Sequence, residues 1–169
     1  MQESYQDLYI TGLVNARALE TQAIELLSRQ AERIESYPEV EQMLRRHIAE
    51  SEQQRDRLDS ILSSLGTSNS GMKDFITGLM GNMAALAHAP MQDEILKNSL
   101  ANYAFEHFEI ASYKSLLVLA DLAGDNTAPA ALRQSLAEEE RMAQWCGDNL
   151  ESLVRKFATL KAQGAQAGI

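Results

Sequence analysis

Four glutamates stand where the helical stripes of this chain should otherwise be apolar: Glu20, Glu50, Glu109 and Glu139. They form two pairs, each separated by 30 residues. Removing an ionised carboxylate from water costs several kcal/mol unless it is paired, protonated or bound to a cation. Four carboxylates that converge cannot neutralise one another. A metal ion, or a pair of ions, is the simplest compensation. Oxygen ligands suit iron, manganese or magnesium more than copper, and octahedral sites more than tetrahedral zinc.

Residues one helical turn away extend the constellation. His47 precedes Glu50 and Gln54 follows it on nearly the same face, so His47 is either a ligand or a group that orients one. Glu106, three residues before Glu109, can reach the same site, and Tyr113, one turn beyond, can donate a hydrogen bond to a ligand carboxylate. Plainer readings stand beside these. His47 as a half-buried histidine and Tyr113 as a core aromatic fit the same pattern. So do buried carboxylates paired with Arg45, Arg55 or Arg57. Any one member of the run Glu138-Glu139-Glu140 could face solvent. His107 points about 100° away from Glu106 and reads as a packing residue against another helix or a subunit.

The elements that must carry these groups follow from periodicity and punctuation. Leu13, Ala16, Ala23, Leu27, Ala31 and Ile34 share a stripe with Glu20, which predicts a first helix from about Leu8 to Ile34. Pro38 suits the first turn of a second helix, which runs to Leu65 and stops at Gly66. That helix has two adjacent edges. Leu44, Ile48, Ser51, Leu58 and Leu62 form one, while Met43, His47, Glu50, Gln54 and Ile61 form the other. After the loop from Gly66 to Gly71, residues Met72 to Ala87 read as a short, methionine-rich amphipathic helix in a crossover that also holds His88. A third long helix begins after Pro90 and ends at Gly124, and a fourth runs from near Pro129 to about Leu160. Two hairpins with tight turns, joined by about 25 residues, predict an all-α antiparallel four-helix bundle with one long crossover. Residues 1–163 form a single domain in this reading, and 164–169 a frayed tail.

Composition narrows the function. With 169 residues the chain can bury one core, and a net charge of −9 argues against partners recognised by phosphate neutralisation, nucleic acid or anionic membrane. The lone cysteine, Cys146, permits neither an internal disulfide nor a thiolate cluster and reads as a small core residue. No basic region followed by an apolar run opens the chain, and no stretch approaches the ~20 apolar residues that span a bilayer. A soluble cytoplasmic protein is the expectation. Nucleophilic-triad, phosphate-loop and dinucleotide motifs are absent.

A bundle core with one Glu from each of two helices and Glu-x-x-His from the other two is the di-iron and di-manganese carboxylate design. Here Gln53 and Met142 occupy the third position after Glu50 and Glu139, where that design has histidine. Gln53 is accordingly expected beside the metal rather than bound to it. The motifs resemble those of the ferritin-like YciE/YciF family of bacterial stress-associated proteins. The match is strongest over Glu106-His107-Phe108-Glu109-Ile110-Ala111-Ser112-Tyr113. Leu136 to Glu140, His47 to Ser51 with Gln54, and Ala18 to Gln22 are similar to further family segments, in the family's order. Ala143 stands where that family usually has Asp.

The resemblance implies a ferritin-like bundle, commonly a homodimer, with a dinuclear metal site and no established reaction. Two functions are expected to compete. One is a di-iron or di-manganese protein acting on a small oxidant such as peroxide or dioxygen. The other is a metal-free or structurally metallated homodimer whose function lies on its surface. Iron storage in a cage is a weaker third, since nothing encodes a cage interface.

Overall fold

The computed structural model describes residues 4–67 and 92–169. The crossover helix expected over 72–87, and His88, lie outside the described residues. Four long helices make up the rest: α1 (Tyr5–Arg33), α2 (Pro38–Ser64), α3 (Glu94–Ala123) and α4 (Pro129–Ala162). Helix α1 packs against α2 and α3, and α4 packs against α3 and α2, which closes a four-cornered bundle. The fold is the ferritin-like all-α bundle that the two hairpins and their long connection imply.

Local chemistry sets the helix ends. Ser4 and Asp7 form a reciprocal capping box that starts α1. Pro38 and Pro129 occupy first turns, where a missing N–H costs nothing. Gly124 ends α3 in the left-handed conformation, at φ 75°. In the α3–α4 turn, Asp125 accepts from the backbone N–H groups of Thr127 and Ala128 at 2.8 and 3.1 Å. It also accepts the Tyr9 hydroxyl at 3.1 Å, tying α1 to that turn.

Among the described residues, two larger apolar clusters fill the ends of the bundle, beside a small third of Leu19, Ala23 and Phe105. One, around Tyr9, Leu13, Leu58, Leu116 and Leu132, occupies the end nearest the α3–α4 turn. The other, around Leu27, Tyr37, Leu44, Ile95 and Leu153, occupies the opposite end. Between them the inward positions turn polar. At Gly12, α1 and α3 approach closely, since a Cβ there would stand 2.9 Å from Leu116.

The tail departs from the expected frayed segment. Its carbonyls accept from the α1–α2 turn and from the start of α3: Ala167 from the Tyr37 hydroxyl at 2.6 Å, Gly168 from the Ile95 N–H at 2.7 Å, and Ile169 from the Ser36 N–H at 3.1 Å. Ala167 is buried. Helix α3 has no side-chain cap of its own, so the tail satisfies one of its unpaired N–H groups.

Candidate metal centre

The polar middle of the bundle is built from one inward line on each helix. On α1, Glu20 lies in line with Leu13, Ala16, Ala23 and Leu27, all buried. On α3 the line passes through Glu106, Glu109 and Tyr113, and on α4 through Ser135, Glu139, Met142 and Ala143. On α2 it passes through His47, Ser51, Gln54 and Leu58.

His47, Glu106, Glu109 and Glu139 each offer a ligand atom, and these four atoms all lie within 4.8 Å of one another. His47 Nε2 is 3.2 Å from Glu106 Oε2 and 3.5 Å from Glu139 Oε2. Every one of these side chains is at most 1% exposed. Two donors bound across a single ion by ~2.2 Å bonds stand about 4.4 Å apart, so only a slight contraction would close the cluster on a cation.

Glu20 sits next to this group. Its Oε1 accepts the Tyr113 hydroxyl at 2.5 Å, while Oε2 has no partner. Glu50 takes a different place from the other three glutamates of the matched pairs. It lies about 60° round α2 from the His47 position, is a quarter exposed, and binds His47 Nδ1 at 3.3 Å and Arg141 at 3.3 Å. The histidine thus faces the cluster with one nitrogen and holds Glu50 with the other. Gln54 is buried and donates to Glu138 at 3.0 Å. Gln53 is exposed, which corrects the expectation that it borders the metal. His107 is also exposed, tilted against Tyr103 with ring centroids 4.9 Å apart.

The run of three glutamates divides cleanly. Glu140 is exposed and pairs with Lys114 at 3.1 Å. Glu138 is buried against Arg57, Gln54 and Gln134. Only Glu139 enters the cluster. Arg57 does neutralise a buried carboxylate, but it is Glu138. Arg45 pairs with Glu41 on the surface.

Electrostatics report the missing charge. Burial pushes the Glu20 carboxyl up to about 7, although the Tyr113 hydroxyl and His47 pull it down. Burial, reinforced by Glu20, Glu139 and Glu106, raises Glu109 well above the carboxylate range. Burial also raises Glu139, with His47 opposing and Glu106 adding to the effect. For His47, burial disfavours the charged ring, yet Glu106, Glu50 and Glu139 outweigh it and raise its pKa well above the ordinary value. Glu50 is lowered, chiefly by its hydrogen bond to His47. The four raised groups describe a site short of positive charge, whereas Glu50 at its rim is supplied by His47 and Arg141.

The donor set fits a cation on a second count. Both oxygens of Glu109, Glu139 Oε1 and Glu20 Oε2 are buried without a hydrogen-bond partner, and Glu106 Oε2 and Glu139 Oε2 share the single donor His47 Nε2 at 3.2 and 3.5 Å. Buried polar atoms are satisfied in native proteins with few exceptions, so a concentration of them in one place marks something that binds there. Ser51 joins them, its hydroxyl fully buried beside Glu20. Ser135, buried beside Tyr113, completes the wall. Neither serine carries a motif that singles it out in sequence.

Comparison with known proteins agrees with this architecture. Residues 4–159 match the family described as a domain of unknown function, DUF892. The chain belongs to that family. Protein YciF of Escherichia coli K12 is 28% identical over 144 residues, covering 82% of this chain and 85% of YciF. Among solved structures, a protein of Xanthomonas campestris pv. campestris superposes with a TM-score of 0.79 at 29% identity, covering 94% of this chain and 99% of its own. The E. coli stress protein YciF follows with a TM-score of 0.78 at 25% identity, covering 92% and 99%. The YciF-type DUF892 bundle therefore extends over nearly the whole chain. Among the described residues, no helix is long and apolar enough to cross a membrane.

Proposed function

We propose that this protein is a carboxylate-and-histidine metal protein whose centre holds iron or manganese and reacts with a small oxidant such as peroxide or dioxygen. The observation that carries the reading is the group of buried carboxylates of Glu106, Glu109 and Glu139 converging on one imidazole nitrogen, His47 Nε2. His47, Glu106, Glu109 and Glu139 would hold a first ion, and Glu20 with the free oxygens of Glu109 would extend the set toward a second. Such ions, when bound, supply redox equivalents and Lewis acidity. The chain's own residues keep the site dry, fix the Glu20 carboxylate through Tyr113, and orient His47 through Glu50.

Elemental analysis of protein purified without chelator tests this. Iron or manganese on the order of one to two ions per chain is expected, with loss in a Glu109→Ala, Glu139→Ala double variant. Content no higher than that of the double variant would defeat the proposal. The competing reading, a metal-free or structurally metallated homodimer without catalysis, draws on Glu50: Arg141 and solvent already engage a carboxylate that a dinuclear site would use. Peroxide consumption by the metal-loaded protein separates the two, since only a reactive centre loses it on Glu139→Ala.

A further inference from the structure

The apolar cluster at the Tyr37 end of the bundle is not filled completely. A cavity of about 20 Å³ remains between α2, α3 and α4. Roughly 10–15 Å³ suffices for one molecule the size of water. The outer wall, Ser99 on α3 with Trp145 and Asn149 on α4, is half-buried. The inner wall, Leu44 on α2 with Met142 on α4, is 1% exposed. The cavity thus runs inward from the seam between α3 and α4.

Helix α4 sets its distance from the metal centre. Met142 follows Glu139 by three residues on the same inward line, about 4.5 Å along the axis. Side chains on a helix lean toward its N-terminus, so Met142 leans from the cavity toward Glu139. Cys146, one turn further on, also lines the cavity. Burial pushes its thiol up to about 12, and the charge of nearby Glu106 adds to the effect. Met142 and Cys146 are therefore the layer between the cavity and the carboxylates of Glu139 and Glu106.

The walls select the guest. Val40, Leu44, Met142, Leu150 and Leu153 make them apolar. The polar side chains among them are engaged elsewhere. The Ser99 hydroxyl donates to the Ile95 carbonyl at 2.8 Å, and Asn149 donates to the Trp145 carbonyl at 2.9 Å. Asn102 exchanges hydrogen bonds with Gln30 at 2.8 and 3.1 Å. A water held inside a protein needs roughly two to four polar partners. Peroxide, which carries two hydroxyl groups, likewise loses hydrogen bonds on entering such a space. Dioxygen has no proton to donate and is a feeble acceptor, so it enters without that cost.

We propose that this cavity binds dioxygen and delivers it to the metal centre, with the flexible Met142 side chain as the gate between the two. Delivery rests on the metal reading above; binding does not. Hydrated cations have a polar approach at the Glu50 rim, and the cavity supplies an apolar one. Met142 stands where the Glu-x-x-His design has histidine, so an apolar gate replaces a ligand there. Of dioxygen and peroxide, the cavity selects dioxygen.

Methyl NMR spectra of the metal-free full chain under raised dioxygen pressure test the binding, because the gas is paramagnetic and relaxes nearby nuclei. The Met142 and Leu44 methyls should relax several-fold more than those of Leu13 and Leu132, which are as deeply buried at the opposite end. Cys146→Val narrows the cavity and should abolish the difference. Ser99→Val narrows it from the outer wall and serves if the first variant does not fold. Stopped flow on protein loaded with ferrous iron tests the delivery. Oxidation by dioxygen should slow several-fold in either variant, while oxidation by hydrogen peroxide and iron content stay unchanged. Relaxation that is uniform across the buried methyls, or unchanged in both variants, would overturn the binding site. Equal slowing with the two oxidants would overturn delivery. A wild type that holds no iron defeats the metal reading and delivery with it, whereas the relaxation difference is read without metal and judges the cavity alone.

Discussion

Glu138 and Glu139 are neighbours on α4, both at most 6% exposed, yet they sit in opposite electrostatic settings. Glu138 is met by the Arg57 guanidinium and by the amides of Gln54 and Gln134. Glu139 faces three other glutamates and a single imidazole, whose Nε2 stands 3.5 Å from its Oε2. The protein can therefore neutralise a buried carboxylate from its own side chains and does so one residue away. What distinguishes the cluster is that compensation from within the chain is incomplete, which is the condition for binding a cation from outside.

Removing one partner from each setting should give opposite signs. In metal-free protein, Arg57→Leu strands Glu138 as an uncompensated buried charge and should cost about 3–5 kcal/mol. Glu109→Leu removes one of several repelling carboxylates and should leave the metal-free protein unchanged or more stable by about 1–3 kcal/mol. Denaturant midpoints at pH 7.5 after chelation and dialysis measure both. Adding manganese should reverse the second effect, because the wild type gains by mass action while Glu109→Leu does not. If both substitutions destabilise the metal-free protein equally, the contrast between the two settings is not real.

Titration sharpens the same comparison with a somewhat smaller effect. Glu20 has an ordinary pKa near 4.5 in the unfolded chain and about 7 when folded, raised mainly by burial. A carboxyl raised on folding binds more protons in the native state between those values, so its stabilisation is complete below 4.5 and lost as pH rises through 7. Glu109 and Glu139 are raised as well. His47, also raised, loses its stabilising charge in the same direction. Carboxyls lowered on folding, such as Glu50 and Asp125, give the opposite slope, which fades as pH climbs past their unfolded values of 4.5 and 3.8. Metal-free protein should thus lose a few kcal/mol between pH 5 and pH 8, a slope that bound metal flattens by displacing protons. Urea melts at the two pH values, with and without manganese, decide it; metal-free stability that is flat or rises with pH would contradict the assignment.

Much of this was legible in the residues, and the errors have physical causes. The helix ends follow from Pro38, Gly66, Gly124 and Pro129, whose backbone preferences are local. The place of Glu20 follows from an unbroken apolar line through Leu13, Ala16, Ala23 and Leu27. Helix α2 offers two neighbouring edges of similar apolarity, and their rotation is set only by packing against α1 and α4. The matched spacing of 30 residues drew attention to Glu50, whereas the rotation adopted turns His47 and Ser51 inward and leaves Glu50 at the rim. The Arg57–Glu138 pair joins residues 81 positions apart, which no local pattern records. The docked tail, rich in alanine and glycine, binds through backbone carbonyls that leave no side-chain signature.

The smallest effect should come from the rim, where the two settings meet solvent. Arg141 reaches Glu50 at 3.3 Å, but its own side chain is 61% exposed. Exposed pairs of this geometry contribute between nothing and about 1 kcal/mol, because water screens them and two flexible side chains must be held in place. Arg141→Ala should therefore change stability by less than about 0.5 kcal/mol and leave metal content intact. Glu50→Ala removes the group that orients His47, and loss of such a support commonly weakens metal binding 10- to 100-fold. Manganese titrations of the two variants side by side separate a carboxylate that acts through His47 from one that acts through its surface arginine. Equal losses of affinity would assign the orienting role to the whole Arg141–Glu50–His47 chain.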